Sequence, residues 1–160
     1  MSEGLRARLK AAVAVPVITA GEVADTVELC RALAAGGLDM LEITLRTPTA
    51  LAAPLDWLPG AVTASEIMQA RNAGFTTLKF FPAQQSGGTA ALKAFAPVFA
   101  DVAFCPTGGL DQKLAADYLA CPNVVATGGT WMMPRDAIAA RDWRRIEQLA
   151  RAAREAGTAR

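Results

Sequence analysis

Hydrophobic positions in this chain occur in short runs that are separated by longer stretches with helical spacing. Each run is three to eight residues long, and glycine or proline often ends it. The runs cover residues 13–18, 38–45, 55–58, 75–81, 102–105 and 124–126. Short apolar runs predict strands, and their alternation with helices predicts repeated βα units and a parallel sheet. We therefore expect a single α/β domain over residues 1–160 with about six parallel strands.

The stretches between the runs carry start and stop signals of helices. Residues 22–35 place Val23, Val27 and Leu33 on one face, and two glycines follow as a stop signal. Thr63 and Glu66 have the spacing of a capping box, which predicts that a helix begins there. Further helices are expected at residues 50–53, 89–96 and 111–119, and residues 134–156 are charged and amphipathic.

The composition is typical of a globular protein and argues against two classes of partner. Of the 160 residues, 52% are hydrophobic, and the formal net charge is +1. No basic block is interleaved with aromatic residues, so nucleic-acid binding is not expected. No apolar run approaches the roughly 20 residues that span a bilayer, so no membrane partner is expected.

The N-terminal region loosely imitates a secretory signal. Arg6, Arg8 and Lys10 precede the apolar residues 11–20, but Pro16 interrupts this run and Glu3 lies in the charged region. We expect a buried strand here and no signal. The three cysteines are scattered and odd in number, which favours reduced thiols and a cytoplasmic location.

The chain contains no histidine, which restricts its chemistry. Ser-His-Asp and Cys-His triads and histidine-ligated metal sites are thereby excluded. Any general base must be a carboxylate, a lysine, a tyrosine, a thiolate or water. Cys105 has no histidine partner, and we interpret it as a small core residue.

Lys79 is the most informative residue of the sequence. It lies in the apolar, strand-forming segment Thr77-Leu78-Lys79-Phe80-Phe81, which Pro82 ends. Desolvation favours the neutral amine, which is a nucleophile towards carbonyl groups, so a buried lysine is a candidate for Schiff-base formation. The alternative is that Lys79 lies on the solvent face of an edge strand, where most lysines are found.

Glu42 is a second charged residue inside an apolar run. Alternation along the strand puts Met40, Glu42 and Thr44 on one face, as a polar barrel interior requires. Imine chemistry also needs a group that moves protons, which a carboxylate can do. A structural ion pair with Arg46, or plain solvent exposure, would explain the residue equally well.

Two Thr-Gly-Gly sequences follow the last two predicted strands. They are Thr107-Gly108-Gly109 and Thr127-Gly128-Gly129, the second followed by Thr130. Glycine turns at strand ends let backbone N–H groups approach phosphate oxygens, and a phosphate site after the last two strands is frequent in barrels. The alternative is that these glycines only permit tight turns.

Five blocks of the sequence, in this order, resemble the 2-keto-3-deoxy-6-phosphogluconate (KDPG) and 4-hydroxy-2-oxoglutarate (KHG) aldolase family. They are Val15-Pro16-Val17-Ile18, Leu41-Glu42-Ile43-Thr44-Leu45-Arg46-Thr47, Leu78-Lys79-Phe80-Phe81-Pro82-Ala83, Phe104-Cys105-Pro106-Thr107-Gly108-Gly109 and Gly128-Gly129-Thr130-Trp131. The resemblance implies a (β/α) TIM-type barrel and a class I aldolase that uses no metal or cofactor. Its substrate would be a phosphorylated 2-keto acid, cleaved to pyruvate and an aldehyde.

The resemblance also implies roles for individual residues. Lys79 would form the Schiff base, Glu42 would act as general acid and base through water, and Arg46 would hold the pyruvyl carboxylate. The remaining site residues would line the carboxylate and phosphate ends of the substrate; they are Thr107, Gly108, Gly109, Gly128, Gly129 and Thr130. Serine is frequent in the family where this chain has Thr130, and the hydroxyl group is retained.

The chain departs from the family in length, because a TIM barrel usually needs more than ~200 residues. After Arg46 the sequence runs almost directly to Leu55-Asp56-Trp57-Leu58, which resembles the fifth strand of the family. Two central βα units are therefore expected to be absent, with an internal deletion near residues 50–55. Unpaired sheet edges invite another chain, so we expect a truncated barrel of about six strands that a homo-oligomer completes.

The missing units leave a second function open. Class I chemistry depends on water exclusion and accurate positioning, which a shortened barrel can lose. The chain could then be a catalytically impaired relative that keeps a site for phosphate or a 2-keto acid. A purely structural role has no positive signal in the sequence.

Overall fold

The computed structural model describes residues 2–19, 22–44 and 57–158, except for the side chains of Ser2, Glu3 and Val23. Within these ranges the chain forms five strands and seven helices. The strands are β1 Ala14–Ile18, β2 Glu42–Ile43, β3 Thr77–Phe80, β4 Ala103–Pro106 and β5 Thr127–Gly129. The helices are α1 Ser2–Ala12, α2 Val23–Ala35, α3 Ala64–Asn72, α4 Gly88–Phe95, α5 Gln112–Leu119, α6 Arg135–Ala139 and α7 Trp143–Thr158.

All pairings between these strands are parallel. One sheet has the order β2-β1-β5 and the other pairs β3 with β4. Isolated bridges from Phe104 to Val124 and from Thr107 to Gly128 connect the two sheets, and a third joins Gly60 to Lys79 on the side of β3 opposite β4. The described strands therefore form one arc, which runs from the Gly60 segment through β3, β4, β5 and β1 to β2.

Alternation along the strands gives the arc an inner and an outer face. Buried residues of β1, β4 and the segment before β5 pack together on the inner face with Leu9 of α1; they are Val15, Cys105 and Ala126. The same helix is anchored by Arg6, whose guanidinium donates to the Thr77 hydroxyl at 3.2 Å and to the Asp101 carbonyl at 2.7 Å. Helix α1 thus covers the inner face near the start of β3.

The outer face of the arc is buried under helices. Ala14 and Ile18 of β1 pack in one apolar cluster with residues of α2 and α7. Phe80 and Phe104, on β3 and β4, are fully buried in another cluster, with ring centroids 6.2 Å apart in an edge-to-face arrangement. Burying side chains of this size stabilises the fold by about 1.5–3 kcal/mol each, so the helical layer rather than the inner face supplies most of the core.

Several local predictions are confirmed. Thr63 caps α3, and the Glu66 carboxylate accepts hydrogen bonds from the backbone N–H groups of Val62 and Thr63, both at 2.9 Å. Asp111 caps α5 by accepting from Leu114 N at 2.8 Å. Strands form at four of the predicted runs, although β4 extends one residue beyond its run and β2 is only two residues long in the described part of the chain.

Two predicted strands are wrong in position, one helix was not predicted, and one predicted helix lies outside the described residues. The last strand is Thr127–Gly129 rather than residues 124–126, so the second glycine pair lies inside a strand and not in a turn. The pairing beside β3 occurs at Gly60, not at Trp57 or Leu58. Helix α1 precedes the first strand where no helix was predicted. The helix predicted at residues 50–53 lies outside the described residues.

None of the described helices combines the length and the apolar character that crossing a bilayer requires.

Candidate active site

Lys79 is held firmly in the sheet. Its backbone N–H donates to the Pro59 carbonyl at 2.8 Å, and its carbonyl accepts from Ala61 N at 2.9 Å. On the other side it is in register with Cys105 of β4. Its side chain is only 19% exposed, so Lys79 lies partly buried in a strand and the solvent-facing alternative is wrong.

Glu42 meets Lys79 across the arc. Lys79 Nζ donates a hydrogen bond to Glu42 Oε1, and the Glu42 side chain is 22% exposed. The two residues come from β3 and β2, near opposite ends of the arc. The other carboxylate oxygen, Oε2, is buried and has no hydrogen-bond partner in the described part of the molecule, so it is available to a water molecule or a substrate hydroxyl.

Cys105 lies next to this pair but is not a nucleophile. It is 1% exposed, and burial, with a smaller contribution from the nearby Glu42 carboxylate, raises the pKa of its thiol to about 12. A thiol with this pKa stays neutral at physiological pH, and the thiolate is the reactive form. The interpretation of Cys105 as a core residue is confirmed.

The first glycine turn follows β4 directly. The Thr107 backbone N–H donates to the Phe80 carbonyl at 2.9 Å, which ties the end of β4 to the end of β3. Gly108 and Gly109 then adopt φ values of +101° and +72°, which residues other than glycine rarely adopt. The predicted turn is confirmed, and Thr107 is buried at its start.

The second glycine pair serves close packing. Gly128 lies opposite Thr107, and a Cβ atom on Gly128 would overlap the Thr107 hydroxyl. A Cβ on Gly129 would overlap the Trp131 ring, so Gly129 faces the opposite side of the strand from Gly128. Thr130 follows the strand and is exposed. The structure thus brings Thr107 and Gly128 together and separates Gly129 from them.

Arg46, predicted to hold a carboxylate, lies outside the described residues. The described residues contain no group of three or more histidine, cysteine, aspartate or glutamate side chains that could hold a metal ion. What the arrangement offers is a half-shielded amine, a carboxylate in contact with it, and a glycine turn at the end of the neighbouring strand.

Comparison with known proteins identifies the family. A sequence model described as KDPG and KHG aldolase matches residues 5–55 and 52–149. The chain belongs to this aldolase family. Aldolases of this family are lyases, and the order of the Glu42, Lys79 and glycine-turn segments agrees with the resemblance drawn from the sequence.

Similar proteins cover most of this aldolase-family chain. A 2-dehydro-3-deoxy-phosphogluconate aldolase of Pseudomonas aeruginosa is 39% identical over 191 residues, covering 88% of this chain and 87% of the relative. The structure of the Legionella pneumophila KDPG aldolase, with pyruvate captured as a covalent carbinolamine, has a TM-score of 0.85 and 31% identity and covers 92% and 97% of the two chains. The α/β fold with parallel strands thus matches that of KDPG aldolases.

A third similar protein carries a phosphorylated ligand. The 2-keto-3-deoxy-6-phosphogluconate aldolase of Zymomonas mobilis, solved with 3-phosphoglycerate, has a TM-score of 0.83 and 30% identity. The alignment covers 96% of the chain described here and 96% of the Zymomonas chain.

One residue of the site was not predicted from the sequence. The ring centroid of Phe81 lies 4.9 Å from Lys79 Nζ, and the ring is half-exposed. Phe81 follows Lys79 by two positions, and period-2 alternation places such residues on one face of a strand. That two-residue spacing from Lys79 is the signal in the sequence from which a role for Phe81 could have been predicted.

Proposed function

We propose that this chain is a class I aldolase that cleaves KDPG, or a related 2-keto acid, to pyruvate and an aldehyde. The observation that carries the proposal is the contact between Lys79 Nζ and Glu42 Oε1 at the shielded inner face of the arc. An amine next to a carboxylate is the arrangement that imine formation and proton transfer require. The captured carbinolamine in the Legionella relative supports the same chemistry here.

In the proposed reaction, Lys79 and Glu42 divide the covalent and proton-transfer steps. Lys79 Nζ first passes a proton to Glu42, and the resulting neutral amine adds to the C2 carbonyl. Glu42 then returns that proton, so that the carbonyl oxygen leaves as water and a protonated imine remains. Glu42, through a water molecule, accepts the proton of the C4 hydroxyl while the C3–C4 bond breaks. The electron pair of that bond moves to the imine nitrogen as an enamine, and the aldehyde leaves. Protonation of C3 and hydrolysis of the imine release pyruvate and restore Lys79.

The two ends of the substrate would be bound by groups around this pair. Thr107, Gly108 and Gly109 lie at the carboxyl end of β4, where ligands of parallel folds bind, and Gly128 faces Thr107. Gly129 ends β5 and Thr130 follows it, and Arg46 would bind the pyruvyl carboxylate. The 3-phosphoglycerate in the Zymomonas structure supports an anion site in this fold.

We also propose that residues 1–160 form one shortened barrel domain with an internal deletion near residues 50–55. Two observations support this. The two matches to the family overlap at residues 52–55, as they do when the intervening family positions are absent. The alignment with the Pseudomonas relative spans 191 positions, more than the 160 residues of this chain, so it contains gaps on this side. Five strands and the Gly60 segment fit an arc of about six strands.

A homo-oligomer would complete this shortened barrel. Strand β2 pairs only with β1 among the described strands, and Ile43 and Trp57 are exposed near the two ends of the arc. Exposed apolar side chains next to a sheet edge are suited to pairing with a second copy. Light scattering at micromolar concentration should give a mass above that of the 16.7 kDa chain, and a monomer would contradict the proposal.

The unpaired cysteines support a reducing, cytoplasmic setting.

The second candidate function is that of a catalytically impaired relative that binds phosphate or a 2-keto acid. The short segment between β2 and Gly60 favours it, because the family's intervening βα units help to position pyruvate. In this case the glycine turn would still bind anions while Lys79 would not form an imine.

Reductive trapping separates the two functions. The protein is incubated with pyruvate and sodium borohydride, and intact and peptide mass spectrometry locate the adduct. A reduced pyruvyl adduct on Lys79, and none on the exposed Lys93, supports the aldolase. Absence of an adduct in a folded sample, together with thermal stabilisation by phosphate, favours the binding protein.

A further inference from the structure

An aromatic ring lies beside the amine that the proposed reaction uses. The Phe81 ring centroid is 4.9 Å from Lys79 Nζ, within the distance at which a cation is attracted to a ring face. Glu42 contacts the same nitrogen. The charged nitrogen is therefore bounded by a carboxylate and by an aromatic ring.

The position of this ring depends on the turn after the neighbouring strand. Two carbon atoms of the Phe81 ring lie 3.0 Å from the point that a Cβ atom on Gly108 would occupy. A side chain at this position would therefore push the ring away from where it lies. The ring is 52% exposed and belongs to none of the three apolar clusters, so burial in the core does not explain its placement.

We propose that Phe81 is a positioning residue that holds and stabilises the positive charge on Lys79 Nζ, both in the free protein and after imine formation. This inference rests on the proposed function for the imine state and on the observed contact for the free state.

The chemistry gives the ring a larger effect after the substrate binds. The nitrogen is an ammonium in the free protein and a protonated imine in the intermediate, so the charge stays at the same atom. Attraction between a cation and a ring grows when water is removed. A 2-keto acid that fills the space around Nζ displaces water, and the ring then favours the protonated imine over the free state. For a partly exposed pair, we expect a two- to fivefold effect on this equilibrium.

Fluorinated phenylalanines test the electrostatic effect of the ring face while keeping the shape of the side chain nearly unchanged. Phe81 is replaced by mono-, di- and trifluorophenylalanine, which reduce the negative potential of the ring face in steps. The concentration of pyruvate that gives half-maximal borohydride trapping on Lys79 is then measured. We expect it to rise stepwise by about two- to fivefold over the series. Phe81→Leu should require as much pyruvate for half-maximal trapping as the trifluorinated variant does, and Phe81→Trp should require as little as wild type does. Val98→Ala, at an exposed apolar residue, should leave this concentration unchanged.

A second measurement does not depend on aldolase activity. Amine acylation of the free protein, followed peptide by peptide, reports how readily Lys79 is present as the neutral amine. Reducing the negative potential of the Phe81 ring face should raise the acylation rate of Lys79 by about twofold relative to Lys93, which is exposed. Circular dichroism confirms that each variant is folded.

The outcomes separate this inference from the proposed function. If trapping and acylation both respond stepwise to fluorination, the inference is supported. If no variant forms an adduct but acylation still responds, the proposed function fails while the ring's effect on Lys79 stands. If acylation of Lys79 is the same across the series, the inference is overturned, whether or not the protein is an aldolase.

Discussion

The contact between Lys79 and Glu42 should contribute measurably to stability, and unequally from its two sides. Replacing Lys79 by methionine leaves a shielded carboxylate whose other oxygen, Oε2, already has no partner in the described structure. Replacing Glu42 by glutamine leaves an ammonium that keeps an amide oxygen and the Phe81 ring as neighbours. Lys79→Met is therefore expected to destabilise the fold more than Glu42→Gln does.

The size of the effect follows from how far the pair is shielded from water. Exposed ion pairs contribute about 0–1 kcal/mol, while breaking a fully buried pair costs about 3–5 kcal/mol. The Lys79 and Glu42 side chains are 19% and 22% exposed, which places this pair between the two limits. We expect about 2–3 kcal/mol for Lys79→Met, about 1 kcal/mol for Glu42→Gln, and a coupling energy of roughly 1–2 kcal/mol in the double variant.

Urea unfolding followed by circular dichroism measures these free energies. With an m-value of about 2 kcal/mol/M, the Lys79→Met midpoint should fall by about 1 M. Glu28→Gln is the matched control, because the Glu28–Arg31 pair is exposed and should change the free energy of unfolding by less than about 0.5 kcal/mol. The assignment of a shielded pair would be refuted if the losses of unfolding free energy from Lys79→Met and Glu42→Gln were additive in the double variant. It would also be refuted if Glu28→Gln lost as much unfolding free energy as Lys79→Met.

Three further predictions concern the scaffold. Gly157→Ala should destabilise the protein by about 1–3 kcal/mol in urea unfolding, because the new Cβ would overlap Val13; Gly4→Ala, whose Cβ meets nothing within 4 Å, should be neutral or stabilising. Hydrogen bonds at the start of α3 lower the pKa of Glu66 below its usual 4.5, so its stabilisation is present above that pH and lost as the pH falls through the lowered pKa. Glu66→Gln should therefore be less stable than wild type at pH 7, and this difference should shrink as the pH falls below 4.5, whereas a pH-independent difference would contradict the hydrogen-bonding assignment. Maleimide at neutral pH should leave Cys105 unmodified until the protein unfolds, as peptide mass spectrometry can show, because burial raises the pKa of its thiol to about 12.

Local features of this fold were predictable because they depend on neighbouring residues. The capping box of Thr63 and Glu66 forms as its spacing predicts, and the turn at Gly108 and Gly109 adopts positive φ values. The strand around Lys79 also forms where an apolar run ended by proline predicts it. In each case a few adjacent side chains and backbone groups determine the conformation.

Other features depend on contacts that local patterns do not contain. Gly128 and Gly129 belong to a strand because Thr107 and Trp131 occupy the space on its two faces, whereas local propensity favours a turn for two glycines. Helix α1 is stabilised by distant partners, including the hydrogen bond from Arg6 to Thr77. Alternation placed Glu42 on a polar face, and the apolar run around Lys79 predicted a shielded lysine, but only the curvature of the sheet brings the two side chains into contact.

The same contact that carries the proposed chemistry joins the two ends of the described arc. The Gly60 segment pairs with β3 at one end and β2 lies at the other, and Lys79 and Glu42 connect these ends through side chains rather than through backbone pairing. If the proposed shortened barrel lacks central βα units, such a connection would replace part of the lost strand pairing. Stability and imine formation should therefore respond together when this pair is altered. A 2-keto acid bound at Lys79 should stabilise the folded state by mass action, since the unfolded chain has no such site.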